Sequence, residues 1–295
     1  MNRDDSRTGK KGVPMWDISE KYSDAETPGS RAEWLALDEA RFRACFRTFF
    51  YGELLPRVYG DAKGADLAHA KELLALWRER GLSEGDHDLR FARCLVQAVE
   101  EEPDAPLDSA ALRAYRMEKP AITPEDREVV LRVIHDRRSV RAFYNKDIPD
   151  ELIAKILAAG QHAAHVNNLQ SIRYIVVNET HEPWVFRGVD IPPAHQHIAV
   201  LQDDRCYLGG DEKSQMDRII DAGAATECML LAMHAYGVDG AWLTYNDEEQ
   251  FPRLRAKFDL PEYIRIVDLI DLGYGSQTPF PPQRPEVDER VIVRV

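Results

Sequence analysis

The stretch Asp136-Arg137-Arg138-Ser139-Val140-Arg141-Ala142-Phe143, continued by Ile148-Pro149-Asp150-Glu151-Leu152 and on to Asn178, decides how this chain folds. Three guanidiniums and one hydroxyl fall within residues 137–141, enough to grip a phosphate bidentately. Just upstream, Thr123-Pro124-Glu125-Asp126 predicts a helix start: a Thr cap, Pro at the first helical position and acids in the first turn. Val129, Val130, Val133 and Ile134 recur on one side of that helix as its expected buried face. The arginines then stand at its C-terminal end, where cations are favoured even without a ligand. A solvated helix end is therefore the alternative to an anion cradle.

Downstream, Pro149 starts a second helix, with Leu152, Ile153, Ile156 and Leu157 on one face and Gly160 as the expected stop. A polar loop follows, Ala163-Ala164-His165-Val166-Asn167-Asn168-Leu169-Gln170, and then a strand, Arg173 to Asn178. This order of pieces resembles the FMN-dependent nitroreductase family. That family's pattern is Arg-Arg-Ser-x-Arg-x-Phe, a helix opening with Ile-Pro, then Ala-Pro-Ser-x-x-Asn-x-Gln-Pro-Trp and a Phe-Ile-Val-Val strand. The resemblance covers about the last 170 residues and leaves the N-terminal part unassigned.

The resemblance implies an α+β fold: a nitroreductase-like central mixed or antiparallel sheet flanked by helices, preceded here by an all-helical N-terminal module. It implies FMN as cofactor, NAD(P)H as co-substrate, and a homodimer with FMN at the subunit boundary. Asp221 to Gly237 is similar to the family's dimer-core helix, and its small residues Ala222, Gly223, Ala224 and Ala225 permit close helix approach. By the same resemblance Arg137, Arg141 and Arg284 face the phosphate, and Arg138 belongs to the same cofactor-binding set. Ser139 and Asn168 meet ribityl or ring oxygens, Gln170 belongs to the same loop motif, and Leu243, Thr244 and Tyr245 lie along the isoalloxazine. The tail Val291 to Val295 looks like a terminal strand that crosses to the partner's sheet. Two departures stand out: Ala164-His165 replaces the family's Pro-Ser, and Ser171-Ile172 replaces its Pro-Trp. His165 thus either substitutes for the serine donor or leaves that contact unmade, with substrate protonation as a further role near neutral pH.

Composition sets the bounds. A net charge of -13 argues against a nucleic-acid surface, so the arginines suit a small buried phosphate better than a polyanion. No apolar run approaches the ~20 residues that span a bilayer, and Met1-Asn2-Arg3-Asp4-Asp5 lacks a signal-peptide core, giving a cytoplasmic expectation. Cys45, Cys94, Cys206 and Cys228 stand singly, and three of them among apolar neighbours, as buried thiols do. His195 and His197 lack a nearby third ligand, so no metal is expected.

Residues 1–29 are polar apart from Met15-Trp16 and predict a mobile arm. From Ser30 an aromatic stripe, Trp34, Phe42, Phe46, Phe49 and Phe50, begins a helical module ending near 115, with helices at about Asp66 to Arg80 and from Asp86. Glu100 to Pro106, acidic and Pro-bearing, is expected as a linker. The segment between Asn178 and His197 is short where many family members carry a lid, so Trp184 and Phe186, or the N-terminal module, are expected to close the pocket. Gly240 to Thr244 predicts a buried strand, Asn246 to Glu249 a helix cap, and Gly273-Tyr274-Gly275 a turn rather than a dinucleotide fingerprint. The activity expected is electron transfer from NAD(P)H through flavin to a nitro, quinone-like or related small molecule, in ping-pong order. A non-catalytic FMN store is the alternative outside enzymology. A specialised relative, such as a reductive dehalogenase, a flavin-fragmenting benzimidazole synthase or an azoline-peptide dehydrogenase, is the alternative within it.

Overall fold

A computed structural model describes residues 27–60, 66–115, 120–178, 194–209, 212–244 and 250–293. Trp16, Trp184, Phe186, Tyr245 and the cap expected at 246–249 lie outside them.

The N-terminal part is helical, as its periodicity predicts. α1 (Arg31–Ala36) opens with a capping box between Ser30 and Glu33. Asp38 then accepts from the Arg41 N–H and starts α2 (Glu39–Phe49), so the stripe is two helices rather than one. α2 runs through a π turn, Phe50–Leu54, into α3 (Leu55–Val58). α4 (Leu67–Glu79) is capped by Asp66 and closed by Gly81 at φ 69°, and α5 (His87–Glu101) is capped by Asp86. The aromatic stripe is core: Phe42 and Phe46 lie 5.9 and 4.9 Å from Trp77, and all three are buried. The expected linker is a corner instead. α5 continues to Glu101, Pro106 is buried in a tight turn, and α6 (Ala110–Tyr115) returns Leu112 to the same core. Apolar residues beyond the acidic run need that core, and this overrides the linker composition.

In the second half, α7 (Pro124–Asp136) and α8 (Asp150–Gln161) precede β1 (Ile172–Asn178) and β2 (Gln196–Asp203). α9 (Glu212–Ala235), β3 (Asp239–Thr244), α10 (Gln250–Lys257) and β4 (Ile264–Gly273) complete it. The four strands form one antiparallel sheet in the order β1-β2-β4-β3. An isolated parallel bridge, Ser139 to Gly240, hangs the arginine segment on the β3 edge. Helices and an antiparallel sheet together give the α+β class that the sequence predicts.

Alternation along the central strands supplies both faces. Ile198, Val200, Ile270 and Leu272 pack with Ile153 and Ile156 of α8 and Met229, Leu230 and Met233 of α9. Ala199, Leu201 and Leu269 point the other way, to Leu254 of α10, Ile264 and Ile266.

Four expectations change. Gly160 does not stop α8, which runs on to Gln161. It is buried where a Cβ would come within 2.8 Å of Met229, so glycine is there to let α8 approach α9. No residue of α7 is buried: Val129, Val130 and Ile134 are exposed, because no described element closes over that face. β3 is an edge strand, and Trp242 is 39% exposed although Ala241 beside it is fully buried. The tail carries a short 3-10 turn, Val287–Glu289, and no strand among the described residues; Ile292 is exposed. A strand needs a ladder partner, and the one expected here is a second copy.

Candidate functional site

α7 opens with a capping box at Thr123 and Asp126 and delivers Arg137 at its C-cap. The chain then turns extended, and the Val140 N–H donates to the Gly240 carbonyl at 3.0 Å. This strap fixes Ser139 and Arg141 beside the sheet edge. Phe143 bridges to Gly275 and packs on Gly273, where any Cβ would overlap its ring, so these two glycines serve close approach, not nucleotide binding.

Arg137, Arg138, Ser139 and Arg141 line one cavity of about 630 Å³, together with Arg284, which arrives from the Pro-rich segment with Pro279, Phe280 and Pro282. Glu227 of α9 is the acid in its wall, with an oxygen 3.7 Å from Arg137 Nε. Arg138 turns back on its own helix and donates to the carbonyls of His135 and Arg137. It therefore caps α7, and Arg137, Arg141 and Arg284 are the cavity's other guanidiniums.

The 165–170 loop lies elsewhere on the chain, and none of its residues lines that cavity. Asn167, Asn168 and Gln170 all hold left-handed backbone, at φ 44°, 51° and 54°. Asparagine tolerates that region and glutamine does so less well, so the loop is held rather than relaxed. Its ends are anchored in the core: the Val166 N–H donates to Asp221 Oδ1 at 3.0 Å, and Ser171 Oγ meets the Tyr207 hydroxyl at 2.7 Å. That hydroxyl also donates to Asp221 Oδ2 at 2.7 Å. His165 keeps its ring Nε2 buried without a hydrogen-bond partner among the described residues.

The middle of the loop is gripped by the N-terminal helices. Arg47 of α2 donates to the Leu169 carbonyl at 2.8 Å and to Gln170 Oε1 at 3.2 Å. The Gln170 amide nitrogen meets His87 Nε2 at 3.3 Å, and the Tyr51 hydroxyl is hydrogen-bonded to the Asn168 side chain. The side chain of Gln170, expected at the cofactor, is thus engaged within the chain. Asp86, His87 and Asp88 bring potential metal-ligating atoms together, but Arg43 and Arg47 take their carboxylates.

Leu243 packs against the Leu254–Ile266 side of the sheet rather than the arginine cavity, and the Thr244 side chain lies outside what is described. Sequence reasoning weighed His197 only as a metal ligand and missed its buried partner Asp271, which faces it across β2 and β4 with Nδ1 and Oδ1 2.7 Å apart. It also did not single out Arg47. Neither carries a motif signal, since their partners are tens of residues away in the chain.

Burial raises the carboxyls of Asp221, Asp268 and Asp271 above the ordinary range. Asp268 is held by Thr226 Oγ1 at 3.3 Å and by the Trp242 side chain. A raised carboxyl binds its proton more tightly folded than unfolded, so stability is lost as pH climbs from the unfolded value through the folded one. Asp268→Asn removes that loss. Its melting temperature, relative to wild type, is expected to be higher at pH 7 than at pH 4 in paired thermal scans.

Comparison with known proteins adds to this geometry. The family model described as "Nitroreductase family" matches residues 134–205 and 187–274. A protein of Archaeoglobus fulgidus named "Putative NADH dehydrogenase/NAD(P)H nitroreductase" is 34% identical over 155 residues, covering 50% of this chain and 86% of its own. One of the same name from Methanothermobacter thermautotrophicus is 29% identical over 156 residues, covering 51% and 79%. The crystal structure of a nitroreductase-like protein of Streptococcus mutans superimposes with a TM-score of 0.50 at 18% identity, over 57% of this chain and 99% of that one. These likenesses cover about half of this chain.

Proposed function

Since the chain belongs to the nitroreductase family, we propose that it is an FMN-dependent oxidoreductase passing electrons from NAD(P)H to an electron-poor small molecule. One observation carries this reading: Arg284, far along the chain, lines the same cavity as Arg137, Ser139 and Arg141. Three guanidiniums and a hydroxyl converging from two segments make a donor set suited to a phosphate monoester. Glu227, at 3.7 Å, orients Arg137 toward it. Bound FMN would supply the hydride acceptor that no side chain offers, with the nicotinamide and the acceptor using it in turn, a ping-pong order. The protein's own part is to hold the phosphate through Arg137, Arg141 and Arg284, to place Ser139 at the ribityl end, and to set charge around the ring.

Two further observations support a homodimer. Val130 of α7 is 55% exposed and Ile220 of α9 57%, with Val129, Ile134, Met216 and Ile219 also bare, an apolar area that a second copy would cover. The arginine cavity and the 165–170 loop are separate on one chain, as they would be if one copy gave the arginines and the other the loop. The orphaned His165 Nε2 then has a place to donate or accept.

The test is the visible spectrum of purified protein, with sedimentation of the same sample. FMN absorbance that bleaches on adding NADH or NADPH and returns with a nitroarene or quinone, in a two-copy species, is the expected result. Bound FMN that no nicotinamide bleaches would make the protein a flavin store. A colourless protein that takes up no added FMN would end the reading.

A further inference from the structure

The N-terminal helices have a complete core of their own, from Trp34 to Leu112. Among the described residues they nevertheless touch the rest of the chain along two neighbouring segments, 166–170 and 205–208. Ala44 of α2 is fully buried against Leu169, Cys206 and Tyr207, and Arg41 donates to the carbonyls of Arg205 and Tyr207. One turn further along the same face, Arg47 reaches Leu169 and Gln170. Gly52 lies so close to Asn167 that a Cβ there would meet its Oδ1 at 3.1 Å. The docking face of α2 and the π turn after it are therefore fitted to the 166–170 loop, whose backbone is left-handed at Asn167, Asn168 and Gln170.

Arg47 is prepared for this contact. Its side chain is 7% exposed and its guanidinium is fixed by Asp88, itself 1% exposed, with Nη2 to Oδ2 at 2.7 Å. Arg43 approaches the same Asp88 oxygen at 3.4 Å. A guanidinium held on one edge by a buried carboxylate can present its other edge to a carbonyl with little further loss of freedom. The Leu169 carbonyl is the natural target, because three left-handed residues around it leave the loop without a regular backbone ladder.

We propose that Arg47, locked by Asp88, is a positioning residue: through it the N-terminal helices hold the 166–170 loop in its flavin-competent shape and thereby set cofactor affinity. The inference rests on the reading above that this loop meets FMN. It assigns the N-terminal extension a part in building the cofactor site from outside the family segment, rather than acting as a lid or a separate module.

The full-length protein and its Arg47→Ala, Arg47→Lys, Tyr51→Phe and Arg80→Ala variants are compared by FMN fluorescence titration and thermal melting. Arg80 serves as the control because, among the described residues, it donates only within the N-terminal helices, to the carbonyls of Trp34, Leu35 and Leu37. Arg47→Ala is expected to weaken FMN binding about tenfold or more, the loss of one charge-assisted hydrogen bond. Arg47→Lys should recover part of it, and Tyr51→Phe, which deletes only a hydroxyl, should weaken binding about threefold, a fraction of one neutral hydrogen bond. Arg80→Ala should lower the melting temperature and leave the FMN affinity of the folded protein unchanged. If Arg47→Ala and Tyr51→Phe bind FMN as wild type does while Arg141→Ala does not, the positioning role is overturned and the flavin assignment stands. If Arg47→Ala does not fold, Tyr51→Phe and Arg47→Lys decide alone: wild-type affinity in both overturns the inference. A wild-type chain that binds no FMN overturns both.

Discussion

Arg141→Ala and Arg284→Ala should each give a folded protein that holds FMN roughly thirty- to a hundredfold more weakly, about 2–3 kcal/mol for a charge-assisted contact to phosphate. Folding should survive because both residues are exposed at the cavity wall and neither sits in a buried core cluster. The loss should appear as faster FMN dissociation and a shallower salt dependence of binding, since each variant removes one cation facing the anion. Arg138→Ala provides the internal comparison. Its guanidinium is already engaged with the His135 and Arg137 carbonyls, so its removal should fray the end of α7 and weaken FMN much less. Equal retention of FMN by wild type, Arg141→Ala and Arg284→Ala in an equilibrium titration would remove the phosphate assignment.

The second large effect is on stability. Gly240 lies in β3 opposite Leu272, and a Cβ built there would overlap the Asp271 carbonyl oxygen and the Met233 methyl. Met233 can move its terminal methyl, but the carbonyl belongs to β4, a central strand paired on both sides at Asp271. Gly240→Ala must therefore push β3 outward. It would also disturb the hydrogen bond from Val140 by which the Ser139 strap hangs on the sheet. Overpacking of this kind costs about 1–3 kcal/mol and occasionally more, a fall in melting temperature of roughly 2–12 °C. Gly85→Ala, whose Cβ meets only Ser83 Oγ at 3.8 Å, should melt close to wild type. Melting of Gly240→Ala at the wild-type temperature would show that the edge strand yields more easily than its position implies.

These two effects lie on different links of the chain from sequence to function. The arginines act on the ligand and barely on the fold. Gly240 acts on the fold and only through it on the ligand. Arg47 stands between them, being buried in one unit and bonded to the backbone of the other.

Local signals were the ones the sequence carried plainly. Thr123-Pro124 at the start of α7, Pro149 before α8, and Asp66 and Asp86 before α4 and α5 all act within a few residues, and each helix forms where they predict. The arginine cluster was equally legible because Arg137 to Arg141 are contiguous, and the family pattern brought Arg284 to it. What the sequence could not decide was which apolar face finds a partner. Val129 and Ile134 are periodic like any core face yet remain bare on a single chain. Gly160 looks like a stop and is a contact, and Glu100 to Pro106 looks like a linker and is a helix end and a corner. Nor could it give Gln170 its partners, since Arg47 lies 123 residues earlier and no periodicity links them. Short-range capping and alternation are written in neighbouring side chains. Long-range partnership depends on which surfaces the folded chain brings within a few ångströms, and only the tertiary structure decides that.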